Sequence, residues 1–167
     1  MFAGDANITF PGCTFAELKQ ATNSELNNLY SWLKTNNVEK ISGRNVEKIS
    51  GPKRSIKITD HFTCTSVNVI YCITCTLCKK LYIGETGRRL GDRFREHLRD
   101  VEKDDKDASK PIARHFNLPN HSMQHMAVCG VSLHQGNTES RKNLEQKFIF
   151  QIGTLYPNGS NERFSFN

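Results

Sequence analysis

Four side chains with metal-ligand chemistry fall in two close pairs: Cys75 and Cys78, two residues apart, and His115 and His121, five apart. Tetrahedral zinc takes four N and S donors, and two tight turns can each aim a pair inward at about 2.0–2.3 Å. The layout predicts a structural zinc site, with Cys72 able to replace either thiol and His125 able to replace His121. Without metal, the same set is two buried thiols and two surface imidazoles. A redox use of Cys75 and Cys78 fits less well, because the pair closes a hairpin instead of opening a helix after a strand.

A second constellation joins two phenols to a guanidinium, an imidazole and a carboxylate. Val69-Ile70-Tyr71 is followed, ten residues later, by Tyr82-Ile83-Gly84. Paired as strands, the two runs bring Tyr71 and Tyr82 close across a hairpin. Arg93 and His97 are i and i+4 on the next helix, on a face away from its apolar stripe. Glu145 borders the apolar stripe of the last helix, half-buried and able to hold a metal ion. Around them Lys79, Lys80, Arg88, Arg89, Arg93, Arg95 and Arg99 face only Glu85, Asp92 and Glu96, an excess of +4 suited to phosphate contacts.

The elements that must position these groups are legible from 66 onward. Val67, Val69, Tyr71 and Ile73 alternate with polar or small residues as a strand does, and a second short run spans 80–85. Leu90, Phe94, Leu98 and Val101 stripe a helix over about 88–103. Pro111 suits the first turn of a short helix carrying Ile112, Ala113 and Phe116. Ala127, Cys129, Val131 and Leu133 alternate as a third strand. Leu144, Phe148, Ile149 and Ile152 stripe a helix near 139–153, stopped by Gly153 and Pro157. The order β, β, α, α, β, α predicts an α/β domain around a small sheet.

Earlier in the chain, Thr14 and Glu17 have capping-box spacing and open an amphipathic helix over 14–35. Residues 37–44, NVEKISGR, recur as NVEKISGP at 45–52, a period too short for a solenoid unit. The expected organisation is therefore a mostly helical 1–36, a linker with a tandem duplication at 37–65, and a domain at 66–167.

Composition sets the outer limits. The 167 residues are 37% hydrophobic and 24% charged, which excludes wholesale disorder and collagen-like or mucin-like classes. No stretch approaches the ~18 apolar residues of a membrane span, and MFAGDANITF lacks the basic start and apolar run of a signal peptide. A soluble, non-secreted protein is expected, nuclear or cytoplasmic, whose six Cys are not a disulfide framework. The net charge of +6 favours polyanionic partners, and the excess lies beyond residue 40.

Residues 66–167 resemble the GIY-YIG nuclease superfamily. The segments IYCITC, LYIGETGR, RFREH and ARHFNLPNH look like the endonuclease domain attached to Penelope-like retroelements. The resemblance places Ile70-Tyr71 in the first motif, with Val69 in place of its glycine, and Tyr82-Ile83-Gly84 in the second. It implies Arg93 as catalytic arginine, His97 as its partner one turn on, Glu145 as the carboxylate for one Mg²⁺ and Asn161 as the late asparagine. The Cys75, Cys78, His115, His121 set is similar to the zinc-binding insertion of that branch. The implied fold is a small three-stranded mixed sheet flanked by helices, with a zinc-stapled hairpin and a helical N-terminal appendage.

Residues 1–50 bear a weaker resemblance to the end of a reverse-transcriptase palm, through Phe2-Ala3-Gly4-Asp5 and LNNLYSWLKTN. Gly4 stands where the first of two adjacent metal-binding aspartates is needed, so polymerase activity is excluded.

Together these readings imply a Mg²⁺-dependent DNA nickase domain of retrotransposon origin, acting on DNA with a reverse transcriptase as partner. Tyr71, relayed by His97, would deprotonate water, while Tyr82 orients water or phosphate. The alternative is a catalytically inactive, zinc-stabilised DNA-binding module left by the decay of such an element.

Overall fold

A computed structural model describes residues 48–103 and 110–162. The helix expected over 14–35, the reverse-transcriptase-like segment and the first copy of the repeat lie outside the described residues.

The strand VIYCITC, β3 (Val69–Cys75), is the centre of the fold, and its near-continuous apolar run reflects burial on both faces. It pairs antiparallel with β4 (Leu81–Thr86) on one side and β5 (Met126–Leu133) on the other, giving the order β4-β3-β5. The sheet is thus wholly antiparallel, not mixed. Each strand joins its neighbour without a parallel crossover, since the helices between β4 and β5 return the chain to the far side of β3.

Val69, Tyr71, Ile73 and Cys75 point to one face. There they meet Leu90, Phe94, Leu98 and Val101 of α1 (Leu90–Glu102), and Ile112, Ala113 and Phe116 of α2 (Pro111–Phe116). Ile70 and Cys72 point to the other face and meet Ile149 and Ile152 of α3 (Thr138–Ile152). The Asn137 side chain caps α3 by accepting from the Ser140 N–H at 2.8 Å, and Gly153 ends it at φ +80°, where a side chain would be strained. Among the described residues no helix is long and apolar enough to cross a membrane.

Two further features depart from the sequence reading. Residues assigned to the linker form a small antiparallel hairpin, β1 (Lys48–Ser50) and β2 (Ser55–Lys57), and Ile49 is only 5% exposed against the α3 side of the core. Gly51 packs so closely on Ile152 that a Cβ there would collide with it. The second repeat copy therefore belongs in part to the packed domain. Cys64 is disulfide-bonded, against the expectation for a reducing compartment, whereas Cys72, Cys75, Cys78 and Cys129 are free.

Truncating Ile49 to Ala should lower stability by about 2 kcal/mol, the low end for a buried Ile, because its cavity opens at the domain margin. Urea denaturation checks this; an unchanged midpoint would mean that the hairpin does not contribute to the cooperative unit.

Candidate functional site

Residues directly opposite in an antiparallel pair share a face, so the register Tyr71↔Gly84 and Ile73↔Tyr82 puts both phenols on the α1 side of the sheet. Their ring centroids are 6.5 Å apart. Gly84 makes this possible: a Cβ there would lie 2.5 Å from the Tyr71 hydroxyl and 2.9 Å from the Tyr82 ring. Tyr71 thus lies across a strand position that only glycine leaves open. Its partner on β5 is also a glycine, Gly130, over which the Phe62 ring packs, and the β3–β5 register shifts between Ile70 and Tyr71.

Helix α1 brings Arg93 and His97 to the same hydroxyl. Tyr71 Oη lies 2.7 Å from His97 Nε2 and accepts a hydrogen bond from Arg93 Nε at 3.1 Å. Burial, with the Arg93 charge adding, holds the His97 imidazole down to about 3, so it is neutral at pH 7. Burial, aided by Tyr82 and opposed by Arg93, pushes the Tyr71 phenol well above its ordinary 10. The proton therefore rests on Tyr71, whose hydroxyl donates to Nε2 in the imidazole tautomer protonated at Nδ1, while Arg93 fills one of its acceptor positions. Tyr71 is 1% exposed and Tyr82 half-buried, its phenol raised to about 12 chiefly by burial. Arg93 also binds Glu96 at 2.9 Å, and Glu96 holds Arg88 in turn.

From the far side of β4, α3 adds Glu145. Its carboxyl is raised to about 7, first by burial and then by the neighbouring Glu85 carboxylate. Glu85 is ion-paired with the buried Arg141, at Nε–Oε2 2.5 Å, and Arg141 also donates to Asn68 Oδ1 at 3.0 Å. Glu145 thus carries a charge that its surroundings leave undercompensated, the condition that suits a bound cation. Asn161, expected in the site, offers it no free group. Its Oδ1 accepts from the Ile83 N–H at 2.9 Å and from the Thr154 hydroxyl at 2.7 Å, while Nδ2 donates to the Ile83 carbonyl at 2.8 Å. It is a positioning residue that braces the edge of β4.

The Cys/His set also converges. Cys75 ends β3, and the turn to β4 closes with Lys79 N–H on the Cys75 carbonyl at 2.8 Å, Lys79 adopting φ +63°. His115 comes from α2 and His121 from the loop after it. One donor atom from each of Cys75, Cys78, His115 and His121 lies within 4.8 Å of the others. His121 Nδ1 is 3.1 Å from the Pro119 carbonyl, which fixes the proton there, and its Nε2 is buried with no partner. An orphaned imidazole lone pair beside two thiols fits a zinc ion. The alternates fall away: Cys72 faces the opposite side of the sheet against Cys129, and His125 Nδ1 accepts from the Ser122 N–H at 3.2 Å.

The family model described as the GIY-YIG catalytic domain matches residues 67–151. The chain belongs to the GIY-YIG family. Its enzyme class is accordingly that of endonucleases that hydrolyse phosphodiester bonds. Among solved structures, the catalytic domain of homing endonuclease I-TevI is similar at 22% identity with a TM-score of 0.48, covering 57% of this chain and 98% of that one. No curated protein matches.

In the GIY-YIG domain the five expected DNA-binding cations lie at both ends of β4 and on α1. Lys79 and Lys80 sit at the hairpin turn, whereas Arg88 and Arg89 follow Thr86 at the other end of β4, about 20 Å away for six residues of strand. Arg95 is paired with Asp92 at 2.9 Å and Arg88 with Glu96. The positive charge therefore flanks the phenols on two sides. Sequence reasoning missed Arg141 and Asn68, and took Glu85 and Glu96 only as charges offsetting the basic run. Arg141 and Glu145 share an i, i+4 face, as Arg93 and Glu96 share i, i+3, so spacing carried part of that signal.

The raised carboxyl of Glu145 has a thermodynamic consequence in metal-free protein. Its native pKa of about 7 exceeds the ordinary 4.5, so the native state holds the proton longer than the unfolded chain. Stability from this group is lost as pH rises from 4.5 through 7, by at most about 3 kcal/mol. Glu145→Gln should remove that decline, its urea midpoint gaining on wild type between pH 5 and pH 8. Parallel curves for the two proteins would refute the burial of an undercompensated charge.

Proposed function

We propose that this protein is a divalent-metal-dependent DNA endonuclease that nicks one strand at the Tyr71, Tyr82, Arg93 and Glu145 site. The observation that carries it is the convergence of His97 and Arg93 on the Tyr71 hydroxyl, with Tyr82 beside it and a half-buried carboxylate across the strand. Hydrolysis needs an activated water, charge neutralisation on phosphorus and capture of the leaving oxygen.

The resting site is closed, because Arg93 occupies the Tyr71 hydroxyl. An incoming phosphate draws the guanidinium onto a non-bridging oxygen and uncovers the phenol. Water then gives its proton to Tyr71 Oη as the phenol passes its own to His97 Nε2. The water oxygen bonds to phosphorus, the P–O3′ bond breaks, and the departing 3′ oxygen takes a proton from solvent. Neutral His97 is the correct form for this transfer, and the relay spares Tyr71 from ionising alone in a buried site. Tyr82, the more accessible phenol, orients the water. Glu145 would hold Mg²⁺, which would supply charge neutralisation on the phosphate and the leaving oxygen.

Cys75, Cys78, His115 and His121 would hold a structural zinc that ties the β3–β4 turn to α2. The Penelope-like resemblance supports an origin in a retroelement, where such a nick exposes a 3′ hydroxyl for a reverse transcriptase to extend.

On supercoiled plasmid with Mg²⁺, wild type should nick, and Glu145→Ala and Arg93→Ala should each lose at least about a hundredfold in rate. Equal rates in all three proteins would refute the assignment; DNA binding without nicking by wild type would favour the inactive-module reading. Purified protein should carry one zinc per chain by elemental analysis. Cys78→Ser should lose the zinc and lower Tm, and a zinc-free wild type with the same Tm would remove the staple from the account.

A further inference from the structure

A cavity of about 240 Å³ lies between α2 and the segment after α3, lined by Lys80, Arg114, His115, Leu118, Tyr156 and Ser160 among others. The catalytic residues do not line it. Tyr156 is 73% exposed and Leu118 48%, so two of the six large hydrophobic side chains left exposed among the described residues share this one hollow. An exposed aromatic ring beside cations is the composition of a stacking platform for nucleic-acid bases. The volume falls below the ~300 Å³ at which pockets for whole drug-sized ligands begin, which suits a single planar ring system.

Its placement points the same way. Lys80 precedes Tyr82 by two residues on the same face of the hairpin, about 6.6 Å along the strand. Stacked nucleotides advance about 3.4 Å each, so the cavity mouth lies about two nucleotides from the phenols. The far wall is fixed to the same strand, since Ser160 N–H donates to the Leu81 carbonyl at 2.9 Å and Asn161 grips Ile83. Cavity and phenols therefore keep a set spacing. The Lys80 ammonium sits 5.4 Å from the centre of the Tyr156 ring, and Arg114 is paired with Glu162 on the rim.

We propose that this cavity is a nucleobase pocket. It takes one unstacked base about two nucleotides from the scissile phosphate, against Tyr156 and Leu118, with the adjoining phosphate at Lys80. This rests on the endonuclease reading and adds a specificity element to it. On binding, the Lys80 ammonium moves to the phosphate, and the ring exchanges a solvent-exposed cation contact for a stacked base.

The test uses short duplexes carrying 2-aminopurine at successive positions, mixed with the full chain without added Mg²⁺. Fluorescence should change at one position only, and Tyr156→Ala should abolish that change and weaken binding of the same duplex about tenfold. Tyr156→Phe, which keeps the ring, should retain both, and unchanged zinc content and Tm in both variants would exclude a folding defect. A positionless signal, or Tyr156→Ala matching wild type, overturns the pocket while metal-dependent nicking by wild type still stands. Absence of any DNA binding by wild type overturns both readings.

Discussion

Gly84 is the position on which the site depends. A single hydrogen in place of a methyl lets the Tyr71 hydroxyl lie over β4, within 2.5 Å of where a Cβ would be. From there the oxygen reaches His97 Nε2 at 2.7 Å and Arg93 Nε at 3.1 Å on α1. A larger residue would push the phenol into the helix and break a geometry in which tenths of an ångström matter. On β5, opposite Tyr71, Gly130 leaves the room that the Phe62 ring fills. The ring that the chemistry needs thus lies over one missing side chain, that of Gly84, and belongs to the most deeply buried strand of the fold.

The second constraint is electrostatic and is settled on the edge of β4. Two carboxylates, Glu85 and Glu145, approach there, and only Glu85 has a buried cationic partner, Arg141. A buried ion pair adds little net stability, but losing one member leaves an uncompensated charge in low dielectric. Arg141 therefore keeps Glu85 from competing for whatever binds Glu145. On the other face Arg93 is shared between Tyr71 and Glu96. In the resting site Arg93 is internally satisfied, while Glu145 accepts from the Glu85 N–H and has no ion pair among the described residues, so both are set to exchange partners when a phosphate and a cation arrive together.

The parts of this arrangement visible in sequence were those governed by local periodicity. Two apolar runs ten residues apart, the Leu90, Phe94, Leu98, Val101 stripe and the α3 stripe each fix one element, and strand pairing then brings Tyr71 to Tyr82. Cys75, Cys78, His115 and His121 were legible because metal-ligand spacing is itself local within each pair. What periodicity does not encode stayed hidden. The sheet's all-antiparallel pairing depends on where two helices return the chain. Glu85 to Arg141 spans 56 residues, and the roles of Gly84 and Gly130 exist only once neighbouring strands are in register. Asn161 has a part that only the fold displays, since all three of its side-chain hydrogen bonds go to Ile83 and Thr154.

β4 is an edge strand, yet its exposed backbone is largely spoken for. Ser160 and Asn161 take Leu81 and Ile83, and the Glu85 N–H meets the Glu145 carboxylate. Such pairing suppresses sheet extension by another chain, a common hazard of open edges. It also sets register: a slip of one residue would turn Tyr82 and Gly84 to the α3 face and leave Tyr71 opposite a side chain. The Cys75–Lys79 turn fixes the start of the strand, Asn161 its middle and Glu85 its end. Three unrelated devices on six residues are more than stability requires of an edge, and the excess is explained if the position of β4 against β3 is what the chemistry cannot allow to vary.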